Sequence, residues 1–217
     1  MSQTSKQVIA VIATVAILAA AWWGSYAPMR KAEIYIATLQ GLQQNPATSL
    51  QDLTTRLGSP LDYPSPIGQE ELVRNAANNI LSFVQQSNDA TTTAALISFL
   101  RTYFDPIIAG GKGMSFGQDL YIMGAIEETA FARGGNPQYL AEAQKYYEEA
   151  NQLGPDRPQS LYGLFDAYRF EGNVASTTAV ANKVLSLWPT DQNIRQGLAA
   201  FLSQVQAQSK AKPTSTK

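Results

Sequence analysis

Apolar positions along this chain follow two regimes. Across residues 7–29 they are nearly continuous and no side chain carries charge. Beyond Ala27 they recur at spacings of three and four, the period of helices that bury one stripe. A helix needs about 20 residues to cross the hydrocarbon core of a bilayer. Residues 7–26 supply them, so this segment predicts a transmembrane helix in contact with lipid. Lys6 precedes the run, and Arg30 and Lys31 follow it. Trp22, Trp23 and Tyr26 gather at one end, where amphipathic rings favour the headgroup layer. The Thr14 hydroxyl can return to a carbonyl one turn earlier. A cleaved signal peptide would share Lys6, the apolar stretch and the small residues Ala19, Ala20 and Ala21. Cleavage there would leave two exposed tryptophans at the new terminus, and helical periodicity resumes at once over residues 29–43. An uncleaved anchor over residues 1–27 is therefore the expectation.

The second regime contains no run that alternates with period two, and it reads as all-α. Pro28 opens a new helical segment, with Met29, Ala32, Ile36, Leu39 and Leu42 as its inward stripe. Asn45 and Pro46 break it. Leu50, Leu53 and Leu57 mark a short helix ending at Gly58, and the prolines at 60, 64 and 66 make the following stretch a linker. A helix over residues 69–86 is expected to turn Leu72, Ala76, Ile80, Phe83 and Val84 inward. After the turn and cap signal Ser87, Asn88 and Asp89 comes another helix, with Ala94, Ile97, Leu100, Tyr103 and Phe104 inward and a stop at Asp105 and Pro106. Residues 28–107 thus form two hairpins. The glycines at 110, 111, 113 and 117 predict a flexible linker over residues 108–117.

From residue 118 the periodicity sharpens. One helix covers residues 120–133, and Gly134, Gly135 and Asn136 break it. Pro137 starts a helix to Leu153, and Pro158 starts another that ends near Gly172. The next reaches Trp188 before Pro189, and residues 192–206 make a last, capping helix. Residues 207–217 carry no apolar side chain larger than Ala or Pro and are expected to be disordered.

Composition narrows the function. Of 217 residues, 45% are apolar and only 15% charged, the net charge is -1, and there is neither Cys nor His. Apart from Arg30 and Lys31, the basic residues form no cluster beyond the tail lysines 210, 212 and 217, so nucleic acid is not an expected partner. The missing side chains remove disulfides, thiolates, common zinc sites and the usual base near neutral pH. No catalytic, cofactor-binding or metal-binding residue is expected, and the chain reads as a non-enzyme.

Pro155 and Pro189 lie 34 residues apart and each closes a helix. Between them Leu161, Leu164, Phe165 and Tyr168 form an apolar first-helix stripe closed by Gly172, and before them Ala143, Tyr147, Ala150 and Pro155 follow a small–aromatic–small–proline pattern. In this respect residues 118–206 resemble the tetratricopeptide (TPR) family. That resemblance implies an α-solenoid of paired helices in which small residues allow close approach and an aromatic fills the groove beside them. Thr177, Ala181 and Val184 depart from the usual residues of a second helix. The apolar span, the basic helix beginning at Pro28 and the hairpins together also resemble the C-terminal region of bacterial O-antigen ligase or polymerase-type membrane proteins. The glycan-transferring residues of that family lie in a multi-pass domain that has no counterpart here. This second resemblance implies an accessory module of cell-surface glycan assembly in a bacterial membrane. The flanking charges, Lys6 against Arg30 and Lys31, nearly balance, and the hairpins are expected outside the cytoplasm.

Two motifs invite chemistry that their context denies. Gly110, Gly111, Lys112 and Gly113 lack the Ser or Thr and the preceding strand of a phosphate loop. The pairs Glu70/Glu71, Glu127/Glu128 and Glu148/Glu149 point about 100° apart on a helix, so they read as solvated faces or dipole partners rather than as metal or acid–base pairs. Tyr162, Asp166, Arg169 and Phe170 instead fall at i, i+4, i+7 and i+8 beside the packing stripe. In proteins that resemble this repeat, that face lines the groove where a peptide or partner helix binds, with Tyr162 and Arg169 here as anchors. The competing reading is an Asp166–Arg169 pair with Tyr162 and Phe170 packed on the next hairpin. The expected function is protein recruitment at a membrane.

Overall fold

The computed structural model describes residues 2–87, 89–111, 113 and 115–211, and every regular element among them is helical. Asn88, Lys112 of the glycine-rich segment and residues 212–217 of the tail lie outside the described residues. The elements are α1 (Gln3–Ala21), a π turn (Trp22–Tyr26), α2 (Ala27–Gln44), α3 (Leu50–Asp62), α4 (Gln69–Gln86) and α5 (Ala90–Gly110). They continue with α6 (Phe116–Gly134), α7 (Pro137–Leu153), α8 (Pro158–Glu171), α9 (Val174–Leu187) and α10 (Gln192–Ala211). Two compact units share the chain. One holds the residues up to Ala76 together with Ser98–Pro106, and the other holds Ala77–Ile97 and everything from Ile107 on.

In the first unit α1 runs through the π turn into α2 without a break, giving a helix from Gln3 to Gln44. Among the described residues it is the one helix long and apolar enough to cross a membrane, and none of its apolar window is buried within the molecule. Pro28 does not start a separate helix. Its ring would clash with the carbonyl four residues back, and the widened turn, in which the Ala27 N–H reaches the Trp22 carbonyl, absorbs that conflict. The extra residue also rotates the downstream helix. Ala27, Lys31 and Tyr35 face inward, while Met29, Ala32 and Ile36 of the expected stripe face out.

Helix α2 packs against α3, which continues past Gly58 to Asp62 with Pro60 inside it. Gly58 is no terminator; a Cβ there would meet the Tyr103 hydroxyl at 3.3 Å. Burial of Leu57, Pro60 and Leu61 offsets the lost hydrogen bond. The end of α3 is closed from a distance by Lys31, whose buried Nζ donates to the Tyr63 carbonyl at 2.8 Å, to the Leu61 carbonyl at 3.4 Å and to the Gln69 side chain.

Two further boundaries differ from expectation. Helix α5 passes Pro106 and ends only at Gly111, whose left-handed φ of 60° lets its N–H cap the carbonyls of Ile107 and Ile108. Residues 108–110 and 116–117 of the expected linker are therefore helical. Helix α10 continues to Ala211, so residues 207–211 of the expected tail are helical. On α4 the buried stripe is Val73, Ala76, Ala77, Ile80 and Val84, with Phe83 exposed. On α5, Leu96 is buried and Ala94 faces out.

In the second unit α6 packs on α7, α7 on α8, α8 on α9 and α9 on α10, and α6 also touches α8. Here local signals decide the boundaries. Asn136 accepts from the Gln138 N–H at 3.0 Å and Pro137 opens α7; Gly172 at φ 79° closes α8; Asn173 caps α9 through the Ser176 N–H. One apolar cluster joins α7 to α8 through Leu140, Ala143, Tyr147, Leu164 and Ala167. Another joins α8, α9 and α10 through Leu161, Phe165, Ala181, Val184 and Ile194. Each hairpin thus buries its stripe partly on the next.

Candidate functional site

Helix α8 carries all four candidate groove residues. The period of 3.6 puts Leu161, Leu164, Phe165 and Ala167 into the core and leaves Tyr162, Asp166 and Arg169 half-buried, with Phe170 exposed. Each has a neighbour within the unit. The Tyr162 hydroxyl donates to the Asp191 carboxylate, which also accepts the Ile194 N–H at 3.0 Å at the start of α10. Asp166 accepts from Arg169 at 2.7 Å. The Arg169 guanidinium lies 5.3 Å from the centre of the Phe170 ring and 5.9 Å from that of Phe165. Phe170 meets Phe131 of α6 edge-on at 5.4 Å.

Two of the four, Arg169 and Phe170, open onto a cleft of about 480 Å³ whose opposite wall is α10, through Ala200, Phe201, Gln204 and Gln208. A second cleft of about 450 Å³ in this unit lies between the start of α5 and the α6–α7 turn, beside Asp89, Thr91, Arg133 and Tyr139. The Asp89 side chain already caps α5 there, accepting the Thr91 and Thr92 N–H groups at 3.1 and 3.0 Å. Among the described residues no group of three or more Asp or Glu is placed to hold a metal.

The face of α8 continues onto α6 through a feature that periodicity does not reveal. Tyr147 of α7 is 1% exposed, and its ring lies in a slot floored by Gly124 of α6 and Gly163 of α8. A Cβ at either glycine would stand 2.6 or 2.5 Å from the ring, so only glycine fits both walls. The Tyr147 hydroxyl donates to Glu128 Oε2 at 2.7 Å, and the Tyr121 ring stands 6.0 Å from that of Tyr147. Glu127 is fully buried and Glu128 half-buried, so this pair is not a solvated face. Helix α6 is flanked by both α7 and α8, which leaves it little surface to solvate.

Burial raises the Glu128 pKa to about 7; the Tyr147 hydroxyl and Arg169 oppose that shift and Asp166 adds to it. Desolvation also raises the Asp166 pKa, against the pull of Arg169. The folded protein holds the Glu128 proton more tightly than the unfolded chain, whose carboxyl keeps its ordinary value of 4.5. Stability from this group is therefore complete below pH 4.5 and is lost as pH rises toward 7. Relative to Glu128→Gln, wild type should lose up to about 3 kcal/mol over that window in urea denaturation. A pH-independent difference between the two proteins would contradict it.

No known protein family, curated protein or solved structure matches this chain.

Proposed function

We propose that the chain is a membrane-anchored, TPR-like scaffold: α1 holds it in a bilayer as a single-pass anchor, and the hairpins stack as an α-solenoid whose groove receives a protein or peptide partner. The observation that carries this reading is the cleft between α8 and α10, onto which Arg169 and Phe170 open. Tyr162 and Asp166 extend the same face along α8. The role is recruitment rather than catalysis. An aromatic and an arginine side by side in a partly desolvated cleft are the residue types that dominate binding energy at protein interfaces. The apolar stretch of the first helix, none of it buried within the molecule, supports the anchor.

The test is photo-crosslinking in membranes, comparing wild type with the double variant Tyr162→Ala/Arg169→Ala. Recovery of crosslinked partner is expected to fall by about tenfold or more, the loss that one anchor side chain of about 1.4 kcal/mol produces. Because Tyr162 also bonds Asp191, thermal melting of the variant is recorded alongside. Undiminished recovery from a folded variant ends the groove assignment.

A further inference from the structure

This face carries more carboxylates than cations. Glu128 and Asp166 stand on it, Glu171 lines its end, and the Arg169 guanidinium is tied to Asp166. Glu128 is the unbalanced member. It is half-buried, its carboxylate accepts one hydrogen bond from an uncharged phenol, and among the described residues no cation stands within ion-pair distance of it; Arg169 acts on it only from further away. A desolvated carboxylate without a paired counter-charge is an unfavourable resting state, relieved by a proton or by a cation brought from outside. Tyr121, half-buried with its ring 6.0 Å from that of Tyr147, is a side chain of a type that also attracts cations.

Resting on the groove reading, we infer that the partner presents a basic side chain, lysine or arginine, to Glu128. Charge complementarity selects this occupant over an acidic one. An acidic group placed here would face Glu128, and the Arg169 guanidinium that could offset it is already paired with Asp166. The basic side chain would complete the ion pair that Glu128 lacks. The neighbouring cleft then takes the apolar residues that flank it in the partner segment.

The experiment is selection of displayed random peptides on the full-length protein in lipid nanodiscs, run in parallel on wild type and Glu128→Gln. The amide of that variant keeps the shape of the protonated acid and an acceptor for the Tyr147 hydroxyl, so it is expected to fold, and its melting curve is the control. Wild type is expected to enrich peptides with Lys or Arg at one fixed position. That preference should drop by about tenfold on Glu128→Gln while peptides continue to be selected. A synthetic copy of the leading peptide with its basic residue changed to methionine should bind wild type about tenfold more weakly and the variant equally well. Peptides selected without a basic position, or a basic position that persists on Glu128→Gln, overturn the charge assignment and leave the groove standing. No peptide enriched on wild type overturns the groove and this inference together.

Discussion

Replacing Tyr147 by alanine is expected to cost the second unit about 4 kcal/mol, since buried aromatic-to-alanine changes cost about 3–5 kcal/mol. The ring is 1% exposed and fills a slot with glycine on both walls, so nothing nearby can extend into the space it vacates. The substitution also removes the hydroxyl that satisfies Glu128. Against a total stability of about 5–15 kcal/mol, such a loss brings the α6–α8 hairpins close to unfolding under ordinary conditions. Tyr147→Phe keeps the slot filled and should cost about 1–2 kcal/mol, the value of the hydrogen bond. Gly163→Ala attacks the same contact from the other side. Its Cβ would stand 2.5 Å from the ring, and overpacking of about 1–3 kcal/mol outweighs the gain in helix propensity of about 1 kcal/mol. Urea denaturation followed by circular dichroism measures all three. A loss below about 1 kcal/mol for Tyr147→Ala would mean that the slot does not hold the hairpins together.

Membrane residence is expected to respond as sharply to changes in α1. Ile12 and Val15 lie in the middle of that helix, 63% and 60% exposed. An arginine at the centre of a membrane-crossing helix costs about 2.5–3.5 kcal/mol on an insertion scale. Ile12→Arg/Val15→Arg is thus expected to cost about 6 kcal/mol and to move the protein from the carbonate-washed membrane pellet to the soluble fraction. The intact mass of wild type extracted from membranes is expected to retain α1. A wild-type protein found soluble and shortened near Ala21 would identify the segment as a leader instead.

Elements held by neighbouring residues are legible in the sequence; those held by distant ones are not. Both ends of α7 follow from Asn136, Pro137 and the apolar spacing to Leu153, and α8 and α9 follow from Pro158, Gly172 and Asn173 in the same way. Pro60 and Pro106 mislead because a proline reports a local cost, whereas burial of Leu61 and the cap at Gly111 are what outweigh it. Lys31 reads as a flanking charge of the apolar segment. Its role as a cap depends on carbonyls about 30 residues away. On α2 the apolar positions admit two faces, and packing against α3, which the spacing does not reveal, buries the one that carries Ala27, Lys31 and Tyr35.

The candidate site divides along the same line. Tyr162, Asp166, Arg169 and Phe170 come from one helix, so periodicity alone places them on one face. Glu128 joins that face from α6 and Tyr147 supports it from α7, an arrangement visible only once the hairpins are packed. Adjacent glutamates do diverge along one helix, but that rule ignores what a second helix brings. The nearest signal in the sequence is glycine itself: Gly124 and Gly163 sit mid-helix, where glycine weakens a helix unless a neighbour needs the room.

One surplus residue between Trp22 and Tyr26 sets the clock of the first unit. In a helix each residue advances the heading by about 100°, so adding or losing one there swings everything downstream by more than a quarter turn about the common axis. The side of α1 on which the α2–α3 pair lies is therefore decided at a single position, at the edge of the apolar span rather than in the hairpin itself.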